Sequence, residues 1–582
     1  MQRVRHLACK YALAAPAARR AARIPTAPAR VTITTNTAHP AQRRAPGGLR
    51  RWRQRAAVVL AAAPGTSAAP SGGTGGLAKG DVIEVVCTEV ASTGAGVCRA
   101  DADGLVVFCR GALPGERLTA RIVRRKKTFA EATKVASLAP PANAAVPACP
   151  HYGPCGGCSQ QAITYAAQLA LKHGTVSDAL LRIARLPAAH VDAALRPIVG
   201  SDPPLRYRNK VEYSFSHQAW DGAEDSPPAP RAALAFGLHR PGSATEVLPI
   251  DDCHLATEDA AAILRTVGDA AARRGLVAHD PRSPSACALR HAVVRRGTAA
   301  SNQAAEYLVA IAGDAGRGGA AALARALDGV AAELADAHGP TAGGGLVGVV
   351  AVDVPGRHAS RRRAAGERVV WGRGWIEETL CGLWFRISPS SFFQVNTAQA
   401  ERLYALVRDG AELRPEDVVL DLYCGTGTIG LTLAARVREV HGVEVSAPAV
   451  RDARANAARN GIENATFHEG DVAGLEPSSA LSGKLPRPDV VVVDPARAGL
   501  APEVRAYLKT CGARRLVYVS CDPATWARDI ADLCGLQRGD VDADVAPQGP
   551  YRLVSATPVD MFPQTAHVET VAVLDRDGAC KV

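Results

Sequence analysis

The chain is 582 residues long with a formal charge of +12, enough sequence for two or three separate cores. The charge is uneven: residues 1–80 hold 14 Lys and Arg and no acid, leaving 54 of the 68 basic residues against all 56 Asp and Glu. Beyond that leader the chain is near neutral, so any nucleic-acid contact must come from local patches rather than a general basic coat.

The leader, rich in Ala, Arg, Pro, Ser and Thr, has the composition of a transit peptide for a plastid or mitochondrion. A disordered basic arm on a cytoplasmic protein, or translated upstream sequence, are the alternatives. Arg50–Arg55 followed by AAVVLAAA has the outline of a secretory signal but is short and far from residue 1. No apolar run approaches the ~20 residues needed to span a bilayer, so no membrane partner is expected. Fifteen cysteines, an odd number scattered along the chain, argue against a disulfide framework and for metal-binding or catalytic thiols.

After a Gly/Ser-rich linker, residues 81–140 read as five short strands separated by Gly, Asp and Pro-Gly turns, an OB-like barrel. Its fourth strand runs into Arg121, Arg124, Arg125, Lys126 and Lys127, then Phe129. That cluster fits either a solvated edge strand or a phosphate contact. Next comes Cys149-Pro-His-Tyr-Gly-Pro-Cys155-Gly-Gly-Cys158. Cysteines spaced C-x5-C-x2-C among Gly and Pro can converge on one point, and Cys253 in LPIDDCHL is the candidate fourth ligand for zinc or an iron–sulfur cluster. Residues 141–390 read as a mixed α+β domain: a helix over Ile163–Arg185, then YRNKVEYSFS, AALAFGLHR, ALRHAVVRRG and AEYLVAIAG as antiparallel strands. Period two puts Arg206, Arg208 and Lys210 on one strand face, a phosphate track or a solvent face. Arg361–Arg363 fall in a predicted loop.

Residues 391–575 alternate strands and helices, the pattern of a doubly wound α/β domain. Strands are predicted at Val418–Leu422, Glu439–Val443, Ala465–Glu469, Asp489–Val493, Leu516–Val519 and Val568–Leu574, with a helix over Pro448–Asn460. In VVLDLYCGTGTIG a strand meets a Gly-rich turn and a helix, and Glu444 lies 19 residues beyond Gly425, placed to accept from ribose hydroxyls. Asp421 at the strand end would repel a pyrophosphate, so S-adenosylmethionine, a sulfonium, suits this turn better than NAD. Further on, the apolar run Leu516–Val519 is broken by Ser520-Cys521-Asp522-Pro523, which puts Cys521 just past the carboxyl end of a buried strand, where open α/β sheets bind ligands.

From the OB-like segment onward the chain resembles the RNA uridine-5-methyltransferase family, in particular its iron–sulfur branch acting on 23S-type ribosomal RNA. The motifs that carry the resemblance are ISPSSFFQVN, LDLYCGTG, VVDPARAG, VSCDPAT and DMFPQTAHVE, in that order. The resemblance implies an RNA-binding TRAM domain for the barrel and [4Fe–4S] ligands at Cys149, Cys155, Cys158 and Cys253. It implies S-adenosylmethionine contacts at Gln394, Tyr423, Thr428, Glu444, Asp471 and Asp494, although Tyr423 stands where Phe is common and Asp471 where Asn is often found. Cys521 is the implied nucleophile and Glu569 the implied base. The chemistry needs both. Uridine C5 becomes nucleophilic when a thiolate adds to C6, and the C5 proton must then leave to a positioned carboxylate. The target base must be splayed out of its stack, and Phe392 or Phe393 is placed either to stack on a base or to fill the core. The reading is thus of a monomeric enzyme acting on ribosomal RNA, with the transfer-RNA T-loop as the alternative substrate. A non-catalytic ribosome-assembly factor and an oxidant-sensing redox protein are the rivals.

Overall fold

The computed structural model describes residues 77–91, 94–100, 104–222, 234–280, 287–316, 319–354, 366–475, 482–536 and 549–576. The basic leader and Arg361–Arg363 lie outside the described residues.

Strands β1 (Val82–Val90), β2 (Gly96–Ala100), β3 (Val106–Arg110), β4 (Arg117–Arg125) and β5 (Phe129–Ala139) close into a barrel in the order β1-β2-β3-β5-β4. Alternation dictates the filling: along β4, Leu118, Ala120 and Ile122 point inward while Arg117, Arg121 and Val123 stay exposed. The narrow interior takes small side chains, and Cys87, Cys98 and Cys109 are among them, which gives three of the cysteines a packing role. Because β4 pairs with both β1 and β5, it is not an edge strand, so that reading of its basic cluster is set aside.

The middle of the chain begins with α1 (Tyr165–Asp178), which runs on as a π-helical turn over Ala179–Ile183, and α2 (Ala188–Ala194). The predicted helix therefore starts two residues later, and a left-handed Arg185 lies just past its end. An eight-stranded sheet follows, built from β6 (Lys210–Ser216), β7 (Gln218–Ala219), β8 (Ala235–His239), β9 (Glu246–Pro249), β10 (Ala288–Thr298), β11 (Ala305–Asp314), β12 (Gly344–Asp353) and β13 (Gly366–Gly372). Helices α3 (Glu258–Arg273) and α4 (Gly319–His338) pack against it. The first of them forms because Ala260, Ile263, Leu264, Val267 and Ala271 recur at helical spacing toward the core, while the Thr257 side chain accepts from the Ala260 N–H at its start. A hairpin of β14 (Ile376–Leu380) and β15 (Leu383–Ile387) leads onward. The shared strand face expected for Arg206, Arg208 and Lys210 is absent. Arg206 is left-handed at φ 57° and ties itself bidentately to Asp252, and the ladder begins only at Lys210.

The last domain runs through α5 (Thr397–Ala411), β16 (Val418–Leu422), α6 (Thr428–Leu433), β17 (Glu439–Glu444), α7 (Ala447–Arg459), β18 (Ala465–Glu469), β19 (Val490–Val493), α8 (Pro502–Thr510), β20 (Arg515–Ser520), α9 (Pro523–Leu533), β21 (Tyr551–Val559) and β22 (Glu569–Arg576). The sheet order is β18-β17-β16-β19-β20-β22-β21, parallel up to β20, with β22 antiparallel to both its neighbours. Helices cover both faces, so β16, β19 and β20 are buried at every residue. The order reverses between β16 and β19, which opens a crevice at their carboxyl ends. This is the α/β class expected, with the barrel ahead of it. The prediction missed β21, whose alternation is blurred by Pro558 and a register shift near Ser555.

A buried ion pair joins the middle of the chain to this sheet. Lys172 on α1 donates to Asp560 at 2.5 Å and to the Phe562 carbonyl at 3.0 Å, with both charged groups almost fully buried. The Tyr165 hydroxyl donates to the other Asp560 oxygen at 2.8 Å. Removing one partner strands a buried charge, so Lys172→Met is expected to lower unfolding free energy by about 3–5 kcal/mol. Urea denaturation of full-length protein reads this directly, and a loss under ~1 kcal/mol would contradict it.

Candidate active site

The sheet's carboxyl edge assembles the site. In the β20/β22 ladder Ser520 faces Thr570, so one step further Cys521 stands opposite Glu569. Asp494 follows β19, next to β20. Pro523 stops β20 and also serves the first turn of α9, where the Asp522 carboxylate caps the N–H groups of Ala524 and Thr525 at 3.0 Å each. Cys521 is thereby pinned between a strand end and a helix start. Arg497 and His567 share its cleft, and neither was singled out from the sequence, although each sits inside a quoted motif, VVDPARAG and DMFPQTAHVE.

Electrostatics at this edge run against ionisation. Burial, then the charges of Glu569 and Asp494, push the Cys521 thiol up to about 12, with Arg497 pulling the other way. Burial and Asp494 raise Glu569 to about 8. Burial alone raises Asp494 to about 7. His567 is lowered to about 4 by burial and by Arg497, Lys172 and Arg208, so its imidazole is neutral at physiological pH.

Of the residues expected at the cofactor, Tyr423, Thr428 and Glu444 gather around the turn that follows β16. Gly427 caps α6 at φ 77°, and a Cβ there would meet the Phe467 ring at 2.8 Å, so glycine is required. Glu444 at the end of β17 accepts from the Gly425 and Ser446 N–H groups at 3.1 and 2.8 Å. Thr428 opens α6 and meets the Tyr404 hydroxyl at 2.8 Å. Tyr423 is left-handed at φ 63°, next to the glycine turn. Gln394 is buried just before α5, its carbonyl accepting from Asn209 at 2.8 Å. Asp471 lies further out, exposed after β18, accepting from the Ala473 N–H at 2.9 Å. Asp421 is fully buried: one oxygen accepts from Gly430 N–H at 2.8 Å, and the other has no partner among the described residues. Burial, with Asp494 and Glu444, raises it to about 7. Asp421, Glu444 and Asp494, without an ion pair among the described residues, suit a cationic ligand, and S-adenosylmethionine fits that donor set.

The four candidate cluster cysteines are half-buried and sense one another. Burial raises Cys149, Cys155 (to about 11) and Cys158 (to about 12), and the charge of Cys253 adds to each. The Gly157 N–H donates to the Cys155 sulfur at 3.4 Å, and Arg206 donates to the Cys253 carbonyl at 3.2 Å. Among the described residues, no group of three or more His, Cys, Asp or Glu side chains is arranged to hold a metal ion. Of the two phenylalanines, Phe393 is core, packed near Phe385, whereas Phe392 is 69% exposed.

A doubly wound sheet, a glycine turn, an acid after the second strand and a carboxylate-rich crevice define an S-adenosylmethionine-dependent methyltransferase. Comparison with known proteins narrows this. Residues 361–577 match the family model described as tRNA (Uracil-5-)-methyltransferase, and residues 77–135 match the TRAM domain. An uncharacterized RNA methyltransferase of Chlorobaculum tepidum is 34% identical over 86% of this chain and 97% of its own. One from Nitratidesulfovibrio vulgaris is 35% identical over 85% and 96%. Among solved structures, the Pyrococcus abyssi tRNA (uracil-54, C5)-methyltransferase in complex with S-adenosyl-L-homocysteine superposes with a TM-score of 0.58 at 22% identity, covering 84% of this chain and all of that one. The chain belongs to the RNA uracil-5-methyltransferase family and is an S-adenosylmethionine-dependent enzyme.

Asp421, Asp494 and Glu569 have folded-state values near 7 to 8 against about 4 when unfolded, so the fold holds their protons more tightly. Their contribution to stability is present below about pH 4 and lost as pH rises through about 7 to 8. The melting temperature of the ligand-free protein should fall over that window. Added S-adenosylmethionine should stabilise more at about pH 8.5 than at about pH 6, because its positive charge offsets the ionised carboxylates. Equal stabilisation at both pH values in a thermal-shift titration would contradict this.

Proposed function

We propose that this enzyme methylates C5 of a uridine in structured RNA through a transient bond between Cys521 and C6 of the base. The observation that carries the reading is the β20/β22 register, which sets a thiol and a carboxyl side by side at the mouth of the cofactor crevice. S-adenosylmethionine, when bound, supplies an electrophilic methyl group on a sulfonium. The Cys521 thiolate forms the S–C6 bond, and the π electrons of C5–C6 move toward O4, leaving C5 nucleophilic. C5 takes the methyl group as its bond to the sulfonium breaks, the bonding pair staying on sulfur as a neutral thioether. Glu569 then removes the C5 proton, the double bond reforms, and the C6–S bond breaks to return the thiolate. Arg497 favours both ionised groups, and the neutral His567 beside it can hydrogen-bond a carbonyl of the ring. Phe392, exposed, is free to stack where the uridine is drawn from its helix.

Large-subunit ribosomal RNA is the first substrate on this reading, supported by the TRAM barrel with its exposed basic strand end and by the cysteine array. A transfer-RNA T-loop is the second, favoured by the description of the matching family and by the substrate of the Pyrococcus abyssi enzyme. The C-x5-C-x2-C spacing, the charge that Cys253 exerts on the other three thiols and the Gly157 N–H donating to one sulfur support a [4Fe–4S] cluster on Cys149, Cys155, Cys158 and Cys253. When bound, the cluster ties these loops together.

RNA carrying 5-fluorouridine, which offers no C5 proton, is expected to trap a denaturation-stable adduct with wild-type enzyme and none with Cys521→Ala. Glu569→Gln should hold the adduct even on ordinary uridine, with turnover down roughly 10²–10⁴-fold. An adduct formed equally well by Cys521→Ala would reject the mechanism. Purified without oxygen, the wild-type protein should be brown, and Cys253→Ser should lose both the broad visible absorbance and the bound iron. A colourless, zinc-loaded wild type would reject the cluster.

A further inference from the structure

Beyond the Cys521 cleft, a second cavity of about 460 Å³ opens between the middle sheet and the start of α5. That is within the size range of small-ligand sites. Its wall includes Arg296 and Thr298 of β10, Thr257 at the start of α3, Glu378 and Thr379 of β14, and Thr397 at the start of α5. The Arg296 side chain makes no hydrogen bond or ion pair among the described residues, yet its charge is felt by Glu378. The acids nearby are already engaged: Glu378 accepts from Thr397 at 3.1 Å and from the Thr379 N–H at 3.0 Å, and Glu401 accepts from the Cys381 N–H at 2.8 Å. Asp202 stays at the exposed rim. Arg206 is spent on Asp252. The Thr379 hydroxyl is buried without a partner among the described residues. Two helices of 16 and 15 residues begin at this wall, adding partial positive charge to that of Arg296.

The cavity adjoins the catalytic cleft. Its wall bonds to the segment 561–568, through Asn396 to the Met561 carbonyl at 3.4 Å and through Tyr207 to the Pro563 carbonyl at 3.1 Å. Ala566, His567 and Val568 of the same segment line the Cys521 cleft. Arg208 stands between the two: it lines the cavity, its charge lowers the His567 pKa, and its Nε is buried without a hydrogen-bond partner among the described residues. An uncommitted Arg296 in the cavity and Arg208, beside the Tyr207 ring, on the way from the nucleophile describe a path for a phosphate backbone rather than a pocket for a lone anion.

We propose that this cavity is a second nucleotide subsite, taking the phosphate and sugar of a nucleotide adjacent to the target uridine, with Arg296 on the phosphate and Arg208 beside the intervening strand. The assignment rests on RNA being the substrate. Binding of a synthetic stem–loop RNA with one loop uridine, measured across a salt series, tests it. Arg296→Ala should weaken binding roughly tenfold at low salt and take about 0.7 off the slope of log affinity against log salt. Arg296→Lys should restore the slope, and S-adenosylmethionine affinity, by calorimetry, should be unaltered in both. Wild-type affinity and slope in Arg296→Ala overturn the proposal. A second arm needs only wild-type protein: loops carrying a neutral methylphosphonate at each phosphate flanking the uridine in turn. One position should reproduce the loss, and if none does the subsite is rejected. Methyl transfer is followed in parallel. RNA binding with these signatures but no 5-methyluridine would defeat the catalytic reading while leaving the subsite in place.

Discussion

The structure depends on one strand running the wrong way. In a wholly parallel doubly wound sheet, only residues following carboxyl ends of strands reach the ligand edge. Inserting β22 antiparallel between β20 and β21 brings its amino end to that edge, so Glu569, its first residue, meets Cys521, the first residue past β20. Side chains alternate with period two, and a one-residue slip would send Glu569 to the opposite face. The register is held by burial on both sides: Thr570, Val571, Ala572 and Leu574 are all in the core. It is also held by the segment 560–568, which is clamped before the strand begins.

That edge is costly to assemble. Asp421, Asp494, Glu569 and a thiol occupy a largely dry region in which the Arg497 guanidinium pulls the Cys521 thiol back toward ionisation. Each buried carboxyl gives up hydration without gaining an ion pair among the described residues, and so prefers its proton near neutral pH. A fold selected for stability alone would place valine there. A positively charged methyl donor changes the balance, since it lowers the energy of every ionised group around it at once. The same cation that carries the reactive methyl therefore favours the ionised forms of the thiol and carboxyls around it, which couples cofactor binding to their ionisation.

Much of the last domain was legible because its signals are local. Runs such as Val490–Val493 can only be strands buried on both faces, and Gly427 answers to a backbone angle that other residues resist. Cys521 was legible because Pro523 marks the strand end within two residues. Legibility failed where position is set by distant partners. Arg206 looks like one of an alternating triplet, yet Asp252 and the Cys253 carbonyl, over forty residues away in sequence, pull it into a left-handed turn. The β4 basic run looks like an edge until barrel closure gives it two neighbours. His567 and Arg497 gain meaning only once the register brings them to the cysteine.

The segment between β21 and β22 ties these parts together. Asp560 is held by Lys172 and Tyr165 of α1. Gln564 exchanges hydrogen bonds with Gln168, donating its N–H to one amide atom and accepting from the other, each at 3.0 Å. Its carbonyl accepts from the N–H groups of Ser159 and Gln160, the two residues directly after Cys158. Five residues past Gln564 stands Glu569. The cysteine loop is thus joined by main-chain hydrogen bonds to a point five residues from the residue opposite Cys521. Whatever holds the loop carrying Cys149, Cys155 and Cys158 therefore also bears on where Glu569 stands.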